Sequence, residues 1–174
     1  LRNETTWSET MSTPLSDLPL LSRRIIEAQA IYQLHRVLVE SYGEEAALAA
    51  VSRASQDAAH AAGRAFAAEA PDGPSLAHFS GMVERWRAGG ALDIADVRLS
   101  DDELSFSVTR CGYLEAYRKL GLPDSLSQAL SCCRDPALGA GYSPRLRLER
   151  FGLISEGCPA CRFVFSWSEE EKKP

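Results

Sequence analysis

Leu92-Asp-Ile-Ala-Asp-Val-Arg-Leu-Ser-Asp-Asp-Glu-Leu-Ser-Phe-Ser-Val-Thr-Arg-Cys111 is the stretch whose reading decides the fold. Leu92, Ile94, Val97 and Leu99 lead to Asp101-Asp102, and Leu104, Phe106 and Val108 follow at alternate positions. Successive side chains of a strand point to opposite faces, so a period near two on both sides of an acidic break predicts a β-hairpin. A lone hairpin is marginal in water, and this one needs further strands or a helical layer to cover its apolar face.

Both lie in the flanking sequence. Leu21, Ile25, Ala28, Tyr32, His35 and Val39 recur at spacings of three and four, with Ile31, Leu34 and Leu38 widening the stripe. This predicts a helix from Leu20 to Tyr42, capped by Ser22 and stopped by Gly43. Glu44 to Ala70 reads as a second helix, rich in alanine and suited to close packing against the first, and Pro71-Asp-Gly-Pro74 ends it. A third, near Ser75 to Ala88, carries Leu76, Phe79, Met82, Val83 and Trp86 on one side before Gly89-Gly90 breaks it. Beyond the hairpin, Gly112 to Leu120 and Pro123 to Cys133 read as short helices, and Pro136 opens a further turn or two. Two more strands follow, near 145–153 and 162–167, the second with Phe163, Phe165 and Trp167 on one face. The order predicts an α+β fold: N-terminal helices packed on a small antiparallel sheet, with short helices inserted between the two strand pairs.

One domain over residues 20–168 is expected, between a flexible segment 1–19 and a charged tail 169–174. Met11-Ser-Thr-Pro14 reads as a natural start, with residues 1–10 an upstream extension. The chain has 174 residues, of which 45% are hydrophobic and 25% charged, as in an ordinary globular domain. With 24 acidic against 19 basic residues and a net charge of −5, it lacks the basic stripe that nucleic acid requires. No apolar run is long enough to span a bilayer, and no signal peptide is evident, so the reading is cytoplasmic, without membrane or nucleic-acid partners. A small-molecule substrate is the expected partner, and a homo-oligomer stays open.

The five cysteines, Cys111, Cys132, Cys133, Cys158 and Cys161, are odd in number and confined to the last third. In a reducing compartment such a group signals buried thiols, a metal site or a nucleophile rather than cystines. Cys158-Pro-Ala-Cys161 has the CxxC spacing of zinc chelates and redox motifs. Strand pattern follows it where a thioredoxin-type site has a helix, and Cys132-Cys133 is a poor second pair for zinc. No cofactor is therefore expected, with a cysteine-bound metal left open.

Cys111 stands where a strand gives way to a helix. The positive helix end and the adjacent Arg110 favour thiolate there, which predicts a lowered pKa and a nucleophile. Burial as a plug of the strand–helix corner is the alternative. Asp135 before Pro136 has the form of a helix N-cap, though such a residue can also face a cleft. Arg134 is suited to grip a carboxylate or to pair with a surface acid. Tyr113 and Tyr117 share one helix face at i,i+4, the pattern of core residues. His35, His60 and His78 stand in three different helices and compose no triad.

The blocks Thr-Arg-Cys111-Gly-Tyr113-Leu-Glu115-Ala-Tyr117, Ser-Cys132-Cys-Arg134-Asp135, Gly141-Tyr-Ser-Pro144, Arg145-Leu-Arg-Leu-Glu-Arg150, Glu156-Gly157 and Cys161-Arg-Phe163 occur in order. Together they resemble the L-2-amino-thiazoline-4-carboxylic acid hydrolase family of small bacterial proteins. The resemblance implies hydrolytic opening of a C–N bond in a small cyclic amidine that bears a carboxylate. It singles out Cys111, Cys132 and Cys161 with Arg134 and Asp135, and makes Cys133 and Cys158 local additions. On this reading Cys111, Asp135 and Cys132 are catalytic, and Arg134, Tyr113 and Cys161 bind substrate. Ser143, Phe151-Gly-Leu153 and Arg162 depart from the family's wording. The rival reading is a ligand-binding or sensor domain on the same fold, with structural or metal-binding cysteines.

Overall fold

The computed structural model describes residues 18–168. The expected flexible segment lies outside this range up to residue 17, as do Met11 and the charged tail from residue 169 onward. Three helices come first: α1 (Leu20–Tyr42), α2 (Glu44–Ala67) and α3 (Leu76–Arg87). The hairpin follows as β1 (Leu92–Leu99) and β2 (Glu103–Cys111). Next come α4 (Gly112–Lys119), α5 (Asp124–Ser127), a π-helical turn (Gln128–Cys132) and α6 (Arg134–Tyr142). The chain closes with β3 (Leu146–Phe151) and β4 (Cys161–Trp167).

The strands form one antiparallel sheet in the order β1-β2-β4-β3, so the two predicted strand pairs join through β2 and β4. Leu104, Phe106 and Val108 of β2 and Phe163 and Phe165 of β4 face the helices, and Phe106 lies opposite Phe163 with ring centroids 5.0 Å apart. Phe79 and Trp86 of α3 seal that face, as the spacing of the third helix required. A second apolar cluster gathers around Tyr117, Leu126, Ala28 and Val51. The fold therefore has two cores: one under the sheet and one among the helices.

Local differences from the sequence reading have physical causes. α1 begins at Leu20 behind Pro19, whose ring presets the backbone and whose carbonyl accepts from Arg23 N–H, so Ser22 lies inside the helix and caps nothing. Leu34 points outward at 56% exposure rather than widening the inner stripe. α2 ends at Ala67, a few residues early, and its tightest partner is α6 rather than α1. A Cβ on Gly63 would lie 2.2 Å from the Leu138 carbonyl oxygen, and one on Gly141 would lie 2.1 Å from the His60 carbonyl oxygen. The two backbones touch with no side chain between them. Tyr142 then pins the end of α6, its hydroxyl donating to Ser75 O at 2.9 Å and accepting from Ser75 N–H at 3.0 Å.

These contacts predict opposite outcomes for two glycine substitutions. Gly141→Ala must separate α2 from α6 and should cost about 3 kcal/mol or more, at the upper end of overpacking penalties. Gly81→Ala, on the exposed side of α3 with nothing near its Cβ position, should stabilise by about 1 kcal/mol. Urea unfolding of both variants checks this.

Candidate functional site

A cavity of about 670 Å³ opens between the inner face of the sheet and helices α1, α2, α3 and α6. Its wall on one side is apolar and aromatic, with Phe66, Met82, Trp86, Phe106 and Phe163. Its other end gathers Cys111, Cys132, Cys161, Tyr113, Arg134, Asp135 and Arg150. Cys161 packs on the sheet core and Cys111 on the helical core, so the cavity lies at the seam where neither core closes over the other.

Each side chain reaches this seam for a local reason. Cys111 is the last residue of β2 and sits, still extended, at the N-cap position of α4. Cys161 opens β4 opposite Val108, and its sulfur accepts from Ile154 N–H at 3.2 Å. Cys132 ends the π-helical turn, a geometry that recurs at functional sites because it re-aims side chains. Neighbouring helical residues diverge in direction, and Cys133 turns to the far side, where its thiol donates to Ala129 O at 2.9 Å. Cys158 lies outside the cavity wall, so only one thiol of the CxxC pair reaches the cavity. Among the described residues no three His, Cys, Asp or Glu side chains gather closely enough to hold a metal ion. The cysteine-bound metal does not fit this arrangement.

Asp135 is not an N-cap. α6 begins one residue earlier, and Cys133 before it is already helical, because the path from α5 through the π turn runs almost directly into α6. The Asp135 carboxylate instead accepts from the Arg150 guanidinium at 2.6 Å, and the same nitrogen donates to Cys132 O at 2.9 Å. Burial outweighs the attraction of Arg150 and pushes the Asp135 carboxyl up to about 6. This value suits a group that must both take and return a proton near neutrality.

The thiols respond to the same burial. Cys111 is pushed above its ordinary range by desolvation, although Leu114 and Tyr113 N–H at the start of α4 pull the other way. The expected lowering by Arg110 does not arise. Arg110 points to the exposed side, where it pairs with Glu115 at 2.8 Å and Asp93 at 3.6 Å. Cys132 is pushed up to about 12 by burial and by the negative charge of Asp135. Tyr113 lines the same cavity as Arg24, Cys111, Asp135 and Arg134, and burial lifts its hydroxyl to about 12, leaving it a neutral donor. Tyr117 is buried in the helical core, as its spacing with Tyr113 predicted. None of the three histidines lines the cavity.

Arg150 and Arg24 are the charged groups that sequence reasoning missed, and both carried a signal. β3 alternates Leu146, Leu148 and Arg150 on its inner face, so the last inward slot holds a charge while Phe151 faces solvent at 55% exposure. Inside, Arg150 lies opposite Phe163 with its guanidinium 5.7 Å from the ring centroid. Arg24 falls three residues after Leu21 and four before the fully buried Ala28, on the apolar face of α1. A charge on a buried stripe needs a partner or a cavity, and Arg24 has both: it pairs with Glu27 of its own helix and lines the cavity.

The raised thiols set an expectation for labelling. Free Cys111 should react slowly with iodoacetamide at pH 7, and its rate should climb as pH rises through and beyond the ordinary thiol range. Cys132 should be the slower of the two throughout, as mass spectrometry of a time course would measure. Rapid Cys111 labelling at pH 7 would mean that its thiolate is stabilised after all.

The crystal structure of the phenol-responsive sensory domain of the transcription activator PoxR with phenol is similar in fold. It superimposes with a TM-score of 0.52 at 14% identity, covering 80% of this chain and 74% of that one. No curated protein matches the sequence. The sequence profile described as L-2-amino-thiazoline-4-carboxylic acid hydrolase matches residues 23–165, which takes in every wall of the cavity except its outermost rim. This protein belongs to the L-2-amino-thiazoline-4-carboxylic acid hydrolase family.

Proposed function

We propose that this protein is a hydrolase that opens a small cyclic amidine at its amidine carbon, with Cys111 as nucleophile and Asp135 as proton carrier. The observation that carries this reading is the meeting of Cys111, Cys132, Cys161 and Asp135 in the wall of one cavity that also presents Phe66, Trp86, Phe106 and Phe163. A raised thiol is compatible with it, because the proton leaves only as the substrate binds. A cationic amidine beside the sulfur favours thiolate, and the Asp135 carboxylate, ionised above about pH 6, accepts the proton.

The Cys111 sulfur then bonds to the amidine carbon while its proton passes to Asp135. Asp135 returns that proton to the departing ring heteroatom as the ring bond breaks. Water adds to the carbon of the adduct, one of its protons passing to Asp135 and the other to the Cys111 sulfur as the bond between that sulfur and the carbon breaks, and Asp135 then releases its proton to solvent. Arg150 holds Asp135 in place and keeps its proton affinity near neutrality. The neutral Cys132 and Cys161 thiols flank the reacting carbon without competing for it.

A second reading has its own support. The aromatic wall suits a flat apolar ligand, and the PoxR sensory domain of similar fold is phenol-responsive. In that case the cavity binds a ligand without turning it over.

Assay of ring opening on aminothiazoline carboxylate and related cyclic amidines separates the two. Cys111→Ala should abolish turnover and leave the thermal melt unchanged, whereas unchanged turnover would remove the thiol from the mechanism. Asp135→Asn should slow turnover by roughly 10²–10⁴, the usual worth of a general acid–base.

The pH profile gives a separate check. Wild-type rate should fall as pH drops through about 6, where Asp135 takes up a proton and ceases to be a base. Arg150→Met removes the cation that holds the Asp135 pKa down, so the acidic limb should move to higher pH. A limb that stays put in Arg150→Met would assign the titration to another group.

A further inference from the structure

The cavity is larger than the chemistry at its thiols requires. Its volume of about 670 Å³ lies within the roughly 300–1,000 Å³ of sites that enclose drug-sized ligands. A single small ring with its substituents displaces only a minor part of that space.

The strand register shows where the remainder lies. Cys161 and Val108 face each other across β4 and β2, and Phe163 and Phe106 form the next inward pair. At about 3.3 Å per residue, that pair stands about 7 Å further along the sheet. Cys111 lies in the opposite direction from Val108, at the end of β2, so about 16 Å of strand separates it from Phe106. A ring seated against Cys111 leaves Phe106 uncovered.

The uncovered part is shaped for a second flat group. Phe106 and Phe163 stack with centroids 5.0 Å apart and planes at 11°. Trp86 of α3 meets Phe106 at 5.9 Å, inclined at 53°, and Met82 one turn earlier lines the same cavity. The next inward pair, Leu104 and Phe165, is fully buried and takes no part in the wall. Phe79 packs on Phe165 at 4.9 Å and closes the space behind the aromatic pair. The result is a blind slot that continues the cavity away from Cys111 along the sheet.

We infer that the ligand of this cavity is an aryl-substituted cyclic amidine, with its amidine ring at the cysteines and its aryl group in the slot of Phe106, Phe163, Trp86 and Met82. Aromatic side chains meet an aryl group through face and edge contacts that an alkyl group of similar size does not match, and the thioether adds a sulfur contact. The inference goes beyond the small ring of the family's description. It deepens the hydrolase reading and rests on it for the amidine head alone.

The test titrates 2-aminothiazole, 2-amino-4-phenylthiazole and 2-amino-4-cyclohexylthiazole, inert probes sharing one head, into the full chain by calorimetry. The phenyl probe should bind at least about tenfold tighter than the bare head, a ratio that burial of one ring supplies. It should also bind several-fold tighter than the cyclohexyl probe, which is the more apolar of the two but has no ring face. Leu138 of α6 lines the cavity and packs against the aromatic cluster, so Leu138→Trp should fill the slot and bring the phenyl-to-head ratio close to one. Phe163→Leu should abolish the preference for phenyl over cyclohexyl.

A phenyl probe that binds no tighter than the bare head, or no tighter than cyclohexyl, would overturn the inference. So would a phenyl gain that survives unchanged in Leu138→Trp, because the group would then lie elsewhere. In the ring-opening assay, kcat/KM should be higher for phenyl-substituted aminothiazoline than for aminothiazoline itself, and the reverse order would also count against the slot. Binding ratios that hold without turnover of either compound would remove the hydrolysis and leave the ligand assignment standing, so the two readings fail separately. If either variant fails to fold, the wild-type comparison of phenyl with cyclohexyl still decides.

Discussion

The contact of backbone on backbone between α2 and α6 is the constraint on which the rest of the structure depends. Gly63 and Gly141 leave no side chain between the helices, so α6 can neither slide nor roll without driving a carbonyl oxygen into its neighbour. That fixes the start of α6, and with it Arg134 and Asp135, relative to the sheet. Tyr142 secures the other end by exchanging hydrogen bonds with Ser75, the residue that also caps α3. The helical layer is thereby tied to both ends of the segment that carries the charged groups.

Arg150 then links that layer to the sheet. A guanidinium on the inner face of β3 would be costly if left bare, since burying a charge requires a partner. The Asp135 carboxylate and the Cys132 carbonyl supply it from two successive parts of the helical path. Cys132, Arg150 and Leu153 also border a second, smaller hollow of about 400 Å³, so this bridge separates two spaces rather than closing a solid core. A polar bridge at a seam between two apolar clusters keeps the seam from collapsing and leaves a cavity lined by both titratable groups and aromatic rings.

The same electrostatics explains why burial dominates the chemistry of the site. Every cysteine of the cavity lies above its ordinary thiol range because desolvation penalises the thiolate more than the nearby backbone donors or Arg150 can offset. The positive end of α4 does act on Cys111, as its place in the sequence implied, but it is outweighed. On the proposed reading, thiolate at such a site is induced by the bound molecule. This distinguishes a cysteine in a closed seam from the exposed, permanently ionised thiol of a redox motif. Similarity of fold to a phenol-responsive sensory domain is consistent with one scaffold holding different sites, since chemistry resides in particular side chains and not in the architecture.

Much was legible in the sequence because it is local. The helical stripes, the hairpin around Asp101-Asp102, the buried face of α3 and the strand pattern around Phe163 follow from periodicity, which encodes which side of an element meets the core. The ordered blocks around Cys111, Cys132 and Cys161 identified the family. They did not show which way Arg110 points, that Asp135 pairs with Arg150 rather than capping a helix, or that Arg24 from the first helix and Arg134 from the sixth line one cavity. Those depend on which elements are packed against each other. A charge on a strand or helix has the same sequence signature whether it faces solvent, a partner or a cavity, and a thiol's proton affinity depends on water excluded by distant residues. Sequence alone determined the elements and the family; the tertiary structure decided the charge pairs, the burial and the cavity, because electrostatic energies depend on distances in space and on the surrounding medium.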